Sequence, residues 1–238
     1  MKVALWTPLA GTVASAAPLL ARELELVIVG TPEGARPRTE LDVYHLRDSP
    51  ACGFIYRALV ERAGVVLLDH WNLHALVFAE TAGRGKPDVY RREARREHGD
   101  VGSFVARQML AGLGGELGRL VPMNRRVLES SLGLVSFDAE IAARAAALLP
   151  GRPVLHVAEP QSVLDDAAAL LAKVLLRLLG KLRPHAEEQR RAIAARRDAE
   201  ATPQGAARDE LGWAARELGL AGPPADAEDL VTLFLAKP

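Results

Sequence analysis

The sequence is poor in cysteine and carries no net charge. A single cysteine, Cys52, stands among 238 residues, so no disulfide bond can form within the chain. This low cysteine usage is typical of proteins in a reducing compartment, and we expect a cytoplasmic location. The 30 basic and 30 acidic side chains balance each other. Because a nucleic-acid-binding surface needs an excess of basic groups, we expect no nucleic-acid partner.

Long uninterrupted apolar segments are also lacking. The apolar stretch 163–182 carries charged side chains throughout, so we expect no transmembrane segment. Residues 1–17 combine a lysine with an apolar run and superficially resemble a signal peptide. Thr7 and Pro8 interrupt that run early, which favours a buried strand followed by a turn.

The signatures of several enzyme classes are absent as well. The sequence contains no Gly-x-Ser-x-Gly, Walker or Gly-x-Gly-x-x-Gly motif, which disfavours hydrolases, nucleotide triphosphatases and dinucleotide oxidoreductases. The glycine-rich segment 112–118 follows no predicted strand, so we interpret it as a flexible connection. His70 and His74 are four residues apart, but no third ligand accompanies them. We therefore predict no metal site and no cofactor.

Short apolar runs alternate with helical patterns over the first two-thirds of the chain. Strands are predicted at 2–6, 25–30, 42–46, 64–69, 132–137 and 153–158, and helices at 14–24, 51–62 and 137–149. Strands that are apolar on both faces and separated by helices indicate a parallel sheet covered on both sides. We therefore predict an α/β fold, a Rossmann-like doubly wound parallel sheet, over residues 1–160.

The remaining segments read as helices. Residues 88–100 carry four arginines and four acidic residues, which indicates a solvent-exposed helix with ion pairs. Residues 161–238 form a predicted helical extension. Its elements are predicted at 163–182, 184–200, 204–219 and 225–236. The first has a strong apolar stripe that needs a partner, so we interpret the extension as a packing or dimerisation element.

Ligands of a doubly wound sheet bind beyond the carboxyl ends of its strands, so polar residues there are candidates for a site. Gly11 and Thr12 follow the first predicted strand, where backbone amides at a helix start can face an anion. The same small-residue loop is also needed simply to turn the chain.

Further candidates follow the third and fourth predicted strands. His45 lies at the end of the third strand, with Asp48 and Ser49 behind it; either of the last two also fits as a helix cap. Asp69 and His70 follow the fourth strand and form a candidate catalytic pair, and His74 is a candidate binding residue. Asp69 also fits the position of a helix cap.

Several segments of the chain share residues with a known family. They are Tyr44-His45-Leu46, Phe54-Ile55-Tyr56-Arg57, Glu97-His98-Gly99 and Asn124-Arg125-Arg126-Val127-Leu128-Glu129. In order and spacing they resemble the amino-terminal, acceptor-side half of bacterial nucleotide-sugar-dependent glycosyltransferases of the GT-B fold. This large retaining family, glycosyltransferase family 4-like, includes mannosyl- and glucosyltransferases. The resemblance covers roughly residues 1–160.

The resemblance implies a metal-independent transfer of a sugar from a nucleotide-sugar donor to an acceptor. It implies that this half shapes the acceptor site, with Glu97 and His98 among its binding residues, while a second Rossmann-like domain holds the donor. After residue 160 the sequence shows no second series of alternating strands and helices. We therefore expect a donor domain on a separate chain, and a homodimer through the helical extension is a further possible assembly.

Four places in the sequence depart from the family pattern. After the first strand the family tends to have a Gly-Ile-Ala-Asp-Tyr-like segment, where this sequence has Thr12-Val13-Ala14-Ser15-Ala16. Leu68 stands where the family has a histidine before the aspartate, Cys52 replaces another histidine, and Asp48 replaces an asparagine. A leucine can neither hydrogen-bond a sugar hydroxyl nor transfer a proton.

Two functions therefore stay open at the level of sequence. One is a glycosyltransferase subunit that is completed by a donor-domain partner and is inactive alone. The other is a non-catalytic binding or assembly protein built on a degenerate half of the GT-B fold. A two-component or flavodoxin-like protein is disfavoured, because the acidic pocket or phosphate loop that each needs is not apparent.

Overall fold

A computed structural model of the chain describes residues 1–8, 11–33, 35–158 and 164–200. The described residues fall into two compact units. The sheet unit comprises residues 1–71 and 126–200, and the helical unit comprises residues 72–125. The helices predicted at 204–219 and 225–236 lie outside the described residues.

The sheet unit is built on six parallel strands, which confirms the predicted α/β class and the doubly wound parallel sheet. The strands are β1 (Lys2–Trp6), β2 (Glu25–Val29), β3 (Leu41–Leu46), β4 (Gly64–Leu68), β5 (Ser131–Ser136) and β6 (Val154–His156). The bounds of β1 to β5 all lie within one residue of the prediction, whereas β6 is three residues shorter than predicted. β6 pairs with β5 alone in the described sheet, so only one of its sides is held by a ladder.

The strand order β2-β1-β3-β4-β5-β6 creates a topological switch point. From β1 the chain first moves to β2 on one side and then crosses to β3 on the other side. In doubly wound sheets the crevice at the carboxyl ends of the two strands that flank this reversal is the usual binding place. The carboxyl ends of β1 and β3 are therefore the place where this fold favours a binding site.

One face of the sheet packs against α1 (Gly11–Leu20) and α7 (Leu164–Leu182). The apolar stripe of α7 lies in the main core together with alternate residues of β1, β3 and β4. The fully or almost fully buried side chains of that stripe are Ala168, Leu171, Leu175, Leu178 and Leu179. Each leucine buried in this way contributes roughly 1.5–3 kcal/mol. Thus α7, the first predicted helix of the extension, packs on the sheet of its own chain.

The other face of the sheet carries a buried polar cluster around Asp42 in β3. The carboxylate of Asp42 lies near three guanidinium groups: Arg36 at 3.4 Å, Arg62 at 3.7 Å and Arg190 at 3.9 Å. Arg190 belongs to α8 (Ala186–Glu200). We call Asp42 and these three arginines the Asp42 cluster. Through it, a second helix of the extension is joined to the sheet.

Shorter helices complete the sheet unit. They are α2 (Gly53–Glu61), α5 (Arg125–Ser130, whose first residue belongs to the helical unit) and α6 (Ala139–Leu148). The side chain of Asp138 caps α6 by accepting hydrogen bonds from the backbone N–H groups of Glu140 and Ile141. Such caps satisfy amides that the first helical turn leaves without partners.

The helical unit contains α3 (His74–Glu80) and α4 (Pro87–Leu110). α4 is bent at His98 and Gly99, where Gly99 has a φ of +54°. Beyond the bend Gly102 lies against the carbonyl oxygen of Ala94, so close that a β-carbon would stand 1.8 Å from it. Only glycine permits this approach. Among the described residues, no helix combines the length and the apolar composition needed to cross a membrane.

Candidate functional site

Three polar side chains form a hydrogen-bonded row across neighbouring strands of the sheet unit. Thr7 follows β1, His45 lies in β3 and Asp69 follows β4. The hydroxyl oxygen of Thr7 lies 3.1 Å from Nδ1 of His45, and Nε2 of His45 lies 2.8 Å from Oδ2 of Asp69. We call these residues the Thr7 row. It begins at the β1/β3 switch point, the usual binding place in such a fold.

Strand alternation explains why these residues meet. Successive side chains of a strand point to opposite faces, so every second residue shares a face. On the face that packs on α1 and α7, an apolar series ends in a polar residue on each of the three strands. The series are Val3, Leu5 and Thr7; Leu41, Val43 and His45; and Val65, Leu67 and Asp69. The parallel register pairs Trp6 with Tyr44 and His45 with Leu67. Thr7 therefore continues beside His45, and Asp69 lies two residues beyond the pairing partner of His45.

Burial decreases along the row toward Asp69. Thr7 is 0% exposed and His45 is 2% exposed, whereas the side chain of Asp69 is 25% exposed. Asp69 is therefore the member of the row that can meet a dissolved ligand. Its Oδ2 atom holds both close side-chain contacts, with His45 and with Nε of Arg47 at 3.5 Å. Within the described part of the chain, Oδ1 has no hydrogen-bond partner.

The loop after β3 surrounds this carboxylate with further polar groups. Arg47 is well exposed beside Asp69. His70 is exposed, and its Nδ1 accepts a hydrogen bond from the backbone N–H of Asp48 at 3.1 Å. Ser49 caps the 3₁₀ turn Pro50–Cys52 by accepting from Ala51 N–H, the structural alternative that the sequence left open.

The predicted catalytic pair is arranged differently from its sequence order. The imidazole that contacts Asp69 comes from His45 on the neighbouring strand, while its neighbour His70 binds the loop backbone. Leu68, at the position where the resembling family has histidine, is fully buried in β4.

Cys52 lies in the same loop region but is inert. Burial raises the pKa of its thiol, although the backbone N–H and the charge of Arg47 act in the opposite direction. The nucleophilic form of cysteine is the thiolate, so a buried thiol with a raised pKa is poorly reactive.

Gly11 and Thr12 begin α1 directly after the loop that follows β1. Gly11 is exposed and has a φ of +72°, a left-handed conformation that glycine adopts without strain. Glycine at this position is therefore explained by the turn itself.

His74 belongs to the interior of the helical unit. Its Nδ1 lies 2.7 Å from the carbonyl oxygen of Val121, and its Nε2 lies 2.7 Å from the hydroxyl of Tyr90. A carbonyl oxygen only accepts hydrogen bonds, so the ring proton is on Nδ1 and Nε2 accepts from Tyr90. Burial also raises the pKa of Tyr90, which keeps this hydroxyl a donor. Both ring nitrogens of His74 are thus used internally.

Glu97 and His98 also belong to the helical unit. The carboxylate of Glu97 accepts hydrogen bonds from the backbone N–H groups of Asn124 at 3.1 Å and Arg125 at 3.0 Å. Burial, helped by the charge of Arg125, lowers the pKa of His98 to about 4. His98 is therefore neutral at pH 7. Within the helical unit, Glu97 thus binds backbone amides, and His98 is a buried neutral ring at the bend of α4.

The structure thus brings His45, Asp48, Ser49, Asp69 and His70 together in the sheet unit, with Gly11 and Thr12 at the same edge. Thr7 and Arg47 were not among the residues predicted from the sequence. Thr7 could have been found, because it continues the alternate series Val3 and Leu5 of β1 and is the first polar residue in it. Among the described residues, no three His, Cys, Asp or Glu side chains are placed to hold a metal ion. No family model, no curated protein and no solved structure matches the chain.

Proposed function

We propose that the chain binds a hydroxyl-rich, sugar-type acceptor beside Asp69, as the acceptor-side half of a glycosyltransferase-like protein. The observation that supports this is the carboxylate of Asp69. It is partly exposed at the carboxyl edge of the sheet, and its Oδ2 is held by His45 and Arg47. Its Oδ1 is open to a ligand hydroxyl.

The chemistry of the carboxylate suits this role. An ionised carboxylate is a strong acceptor for a sugar hydroxyl, and a charge-assisted hydrogen bond is about twice as strong as a neutral one. In a transfer step, the acceptor oxygen would form a bond to the anomeric carbon of the donor sugar. The bond to the nucleotide diphosphate would break with its electron pair on the leaving group, and Asp69 would take the hydroxyl proton.

The donor is the part of this proposal that needs a second component. The described residues form one six-stranded sheet with its own switch point, and the resemblance assigns the nucleotide sugar to a second Rossmann-like domain. We propose that a separate chain carries that domain and that this chain alone does not turn over.

A non-catalytic binding or assembly protein is the second candidate. The observation that favours it is Leu68, a fully buried apolar side chain at the position where the resembling enzymes have a histidine. In this case the same site would hold a sugar-type ligand without transfer.

Calorimetric titration of the purified chain with free hexoses, hexose phosphates and nucleotide-linked hexoses tests the proposal. We expect a hydroxyl-rich ligand to bind, and Asp69→Asn to weaken it roughly ten- to hundredfold, as for loss of a hydrogen bond to a charged group. Glu25→Gln is the matched control, since Glu25 is an exposed acid of the same sheet paired with Lys2.

Each outcome separates the candidates. If none of these compounds binds, with or without a donor-domain partner, the proposed function is wrong. If a compound binds equally well to Asp69→Asn, its site lies elsewhere. Formation of a glycosylated product by a reconstituted pair of chains would select the enzyme, and binding without product in that pair would select the binding protein.

A further inference from the structure

We propose that Thr7 is a positioning residue that fixes the ring proton of His45 on Nε2 and thereby aims Asp69. The Thr7 hydroxyl donates to Nδ1 of His45, and Nε2–H of His45 donates to Oδ2 of Asp69. The row is thus a chain of hydrogen bonds with one direction, ending at the carboxylate. This inference deepens the proposed function and rests on it for the ligand, whereas the state of the ring is a property of the fold itself.

The Asp69 end of the row requires a proton on Nε2. Asp69 is partly exposed and lies 3.5 Å from the guanidinium of Arg47, its ion-pair partner. A carboxylate has no proton to donate. The 2.8 Å contact between Oδ2 and Nε2 therefore needs a hydrogen on the ring nitrogen.

The Thr7 end completes the same arrangement. In a neutral ring that carries its proton on Nε2, Nδ1 is an acceptor. The Thr7 hydroxyl is 3.1 Å from Nδ1 and is the donor that faces it. Because Thr7 is fully buried, its hydroxyl proton cannot turn to bulk water, and a buried donor without a partner costs free energy. Donation to Nδ1 satisfies both groups at once.

The other ring states leave groups without partners. With the proton on Nδ1, the unprotonated Nε2 would face an acceptor at 2.8 Å. With both nitrogens protonated, the Thr7 oxygen would accept from Nδ1 and its own buried proton would have no partner among the described residues. The arrangement that starts at Thr7 is the one that satisfies all three side chains.

This arrangement has a functional consequence. The imidazole cannot turn without losing both hydrogen bonds, so the Asp69 carboxylate is held through Oδ2. Oδ1 is then the acceptor presented to a ligand hydroxyl. Thr7 acts through His45 and touches no ligand itself.

Nuclear magnetic resonance of the full chain labelled with ¹⁵N-histidine tests the inference through long-range correlations of the ring nitrogens. The His45 signals are assigned with His45→Gln. We expect an unprotonated, hydrogen-bonded Nδ1 and a protonated Nε2 in the wild-type protein. His74 is an internal control of the opposite kind, because the carbonyl of Val121 requires its proton on Nδ1.

Two substitutions at Thr7 complete the experiment. Thr7→Val keeps the shape and removes the hydroxyl, so we expect the His45 Nδ1 resonance to move toward that of a free imine nitrogen while His74 is unchanged. Thr7→Ser retains the hydroxyl and should keep the wild-type resonance. For whichever hexose, hexose phosphate or nucleotide-linked hexose binds, Thr7→Val should raise the Kd about tenfold, the effect of one buried hydrogen bond. Thr7→Ser should have the Kd of the wild-type protein.

A wild-type His45 protonated on Nδ1, or an Nδ1 resonance that is the same in Thr7→Val, would overturn the inference. If Thr7→Val does not fold, the wild-type ring state and Thr7→Ser still decide it. A ring state as expected with no ligand found would contradict the proposed function alone. If a ligand binds in an Asp69-dependent way but the His45 ring carries its proton on Nδ1, the proposed function stands and only the proposed role of Thr7 is wrong.

Discussion

Two buried or partly buried carboxylates, Asp42 and Asp69, have opposite surroundings in the same sheet unit. Asp42 is 0% exposed and is surrounded by Arg36, Arg62 and Arg190. It also accepts hydrogen bonds from Thr39 at 2.9 Å and Trp6 at 3.4 Å. Among the described residues, Asp69 has two side-chain contacts, both on Oδ2.

The difference separates a carboxylate that the protein itself satisfies from one that has spare acceptor capacity. The acceptor positions of Asp42 are taken by groups of the protein, and no water or ligand can reach them. Among the described residues, Oδ1 of Asp69 has no hydrogen-bond partner. Under the proposed function, free acceptor capacity at a partly open carboxylate, and not burial alone, distinguishes a binding acid from a structural one.

The most severe test of this contrast is Asp42→Asn. Asp42 is the fully buried anion among three guanidinium groups, and breaking a buried ion pair by removing one partner costs about 3–5 kcal/mol. We expect the free energy of unfolding in urea to fall by this amount. A loss below about 1 kcal/mol, similar to that expected for Asp69→Asn, would remove the distinction between the two carboxylates.

Acid titration extends the comparison to a closed polar residue of the helical unit. His98 has a pKa of about 4 in the folded protein and about 6.5 when unfolded. Between these values the unfolded chain binds more protons, so stability is full above pH 6.5 and falls as the pH is lowered toward 4.

The loss by pH 4 should be about 3 kcal/mol. Urea unfolding between pH 7 and pH 4 should therefore give a smaller decrease for His98→Gln than for the wild-type protein. If the free energy of unfolding falls equally with pH in the two proteins, His98 does not cause the loss of stability in acid.

Arg190→Met tests how α8 is joined to the Asp42 cluster. Nε of Arg190 donates to the carbonyl of Ala63 at 2.9 Å, and Nη1 donates to the carbonyl of Glu40 at 3.1 Å. Methionine retains much of the side-chain length and removes these donors, so we expect a loss of about 2 kcal/mol in urea unfolding. Arg191→Met, an exposed change in the same helix, should stay within about 0.5 kcal/mol. Equal effects would show that the buried contacts do not hold α8.

Asp69→Asn is expected to have the smallest effect on stability. Its side chain is partly exposed, so the free energy of unfolding should change by less than about 1 kcal/mol, while ligand binding is weakened roughly ten- to hundredfold. A large loss of stability would place Asp69 in the same class as Asp42. Denaturation and calorimetry on the same preparation measure both quantities.

The sequence predicted the class of the fold well because apolar runs and helical spacing are local patterns. It also placed His45 and Asp69 at strand ends, where ligands of such sheets bind. It did not reveal their pairing, because that depends on β1, β3 and β4 being neighbours, which follows from strand order and not from local pattern. For the same reason Thr7 looked like part of a turn.

The helical extension shows a similar limit. The periodicity of residues 163–182 predicted a helix that needs a partner, but not that α1 and the sheet provide it. Asp42 was part of a strand predicted from its apolar neighbours. The three arginines around Asp42 are 6, 20 and 148 residues away from it in the sequence, so no local sequence pattern predicts the cluster.

The reach of Arg190 has a consequence for the synthesis of the protein. Its contact with Glu40 joins residues 150 positions apart, and α7 covers strands that are made more than a hundred residues earlier. A ribosome adds about 5–20 residues per second, so the chain from Asp42 to Arg190 takes roughly 7–30 seconds to make, and the carboxylate lacks this cation during that time. Until α7 and α8 have been made, the part of the sheet face that α7 covers has no partner, and the Asp42 carboxylate is incompletely paired. Completion of the fold is thus timed by the carboxyl-terminal helices.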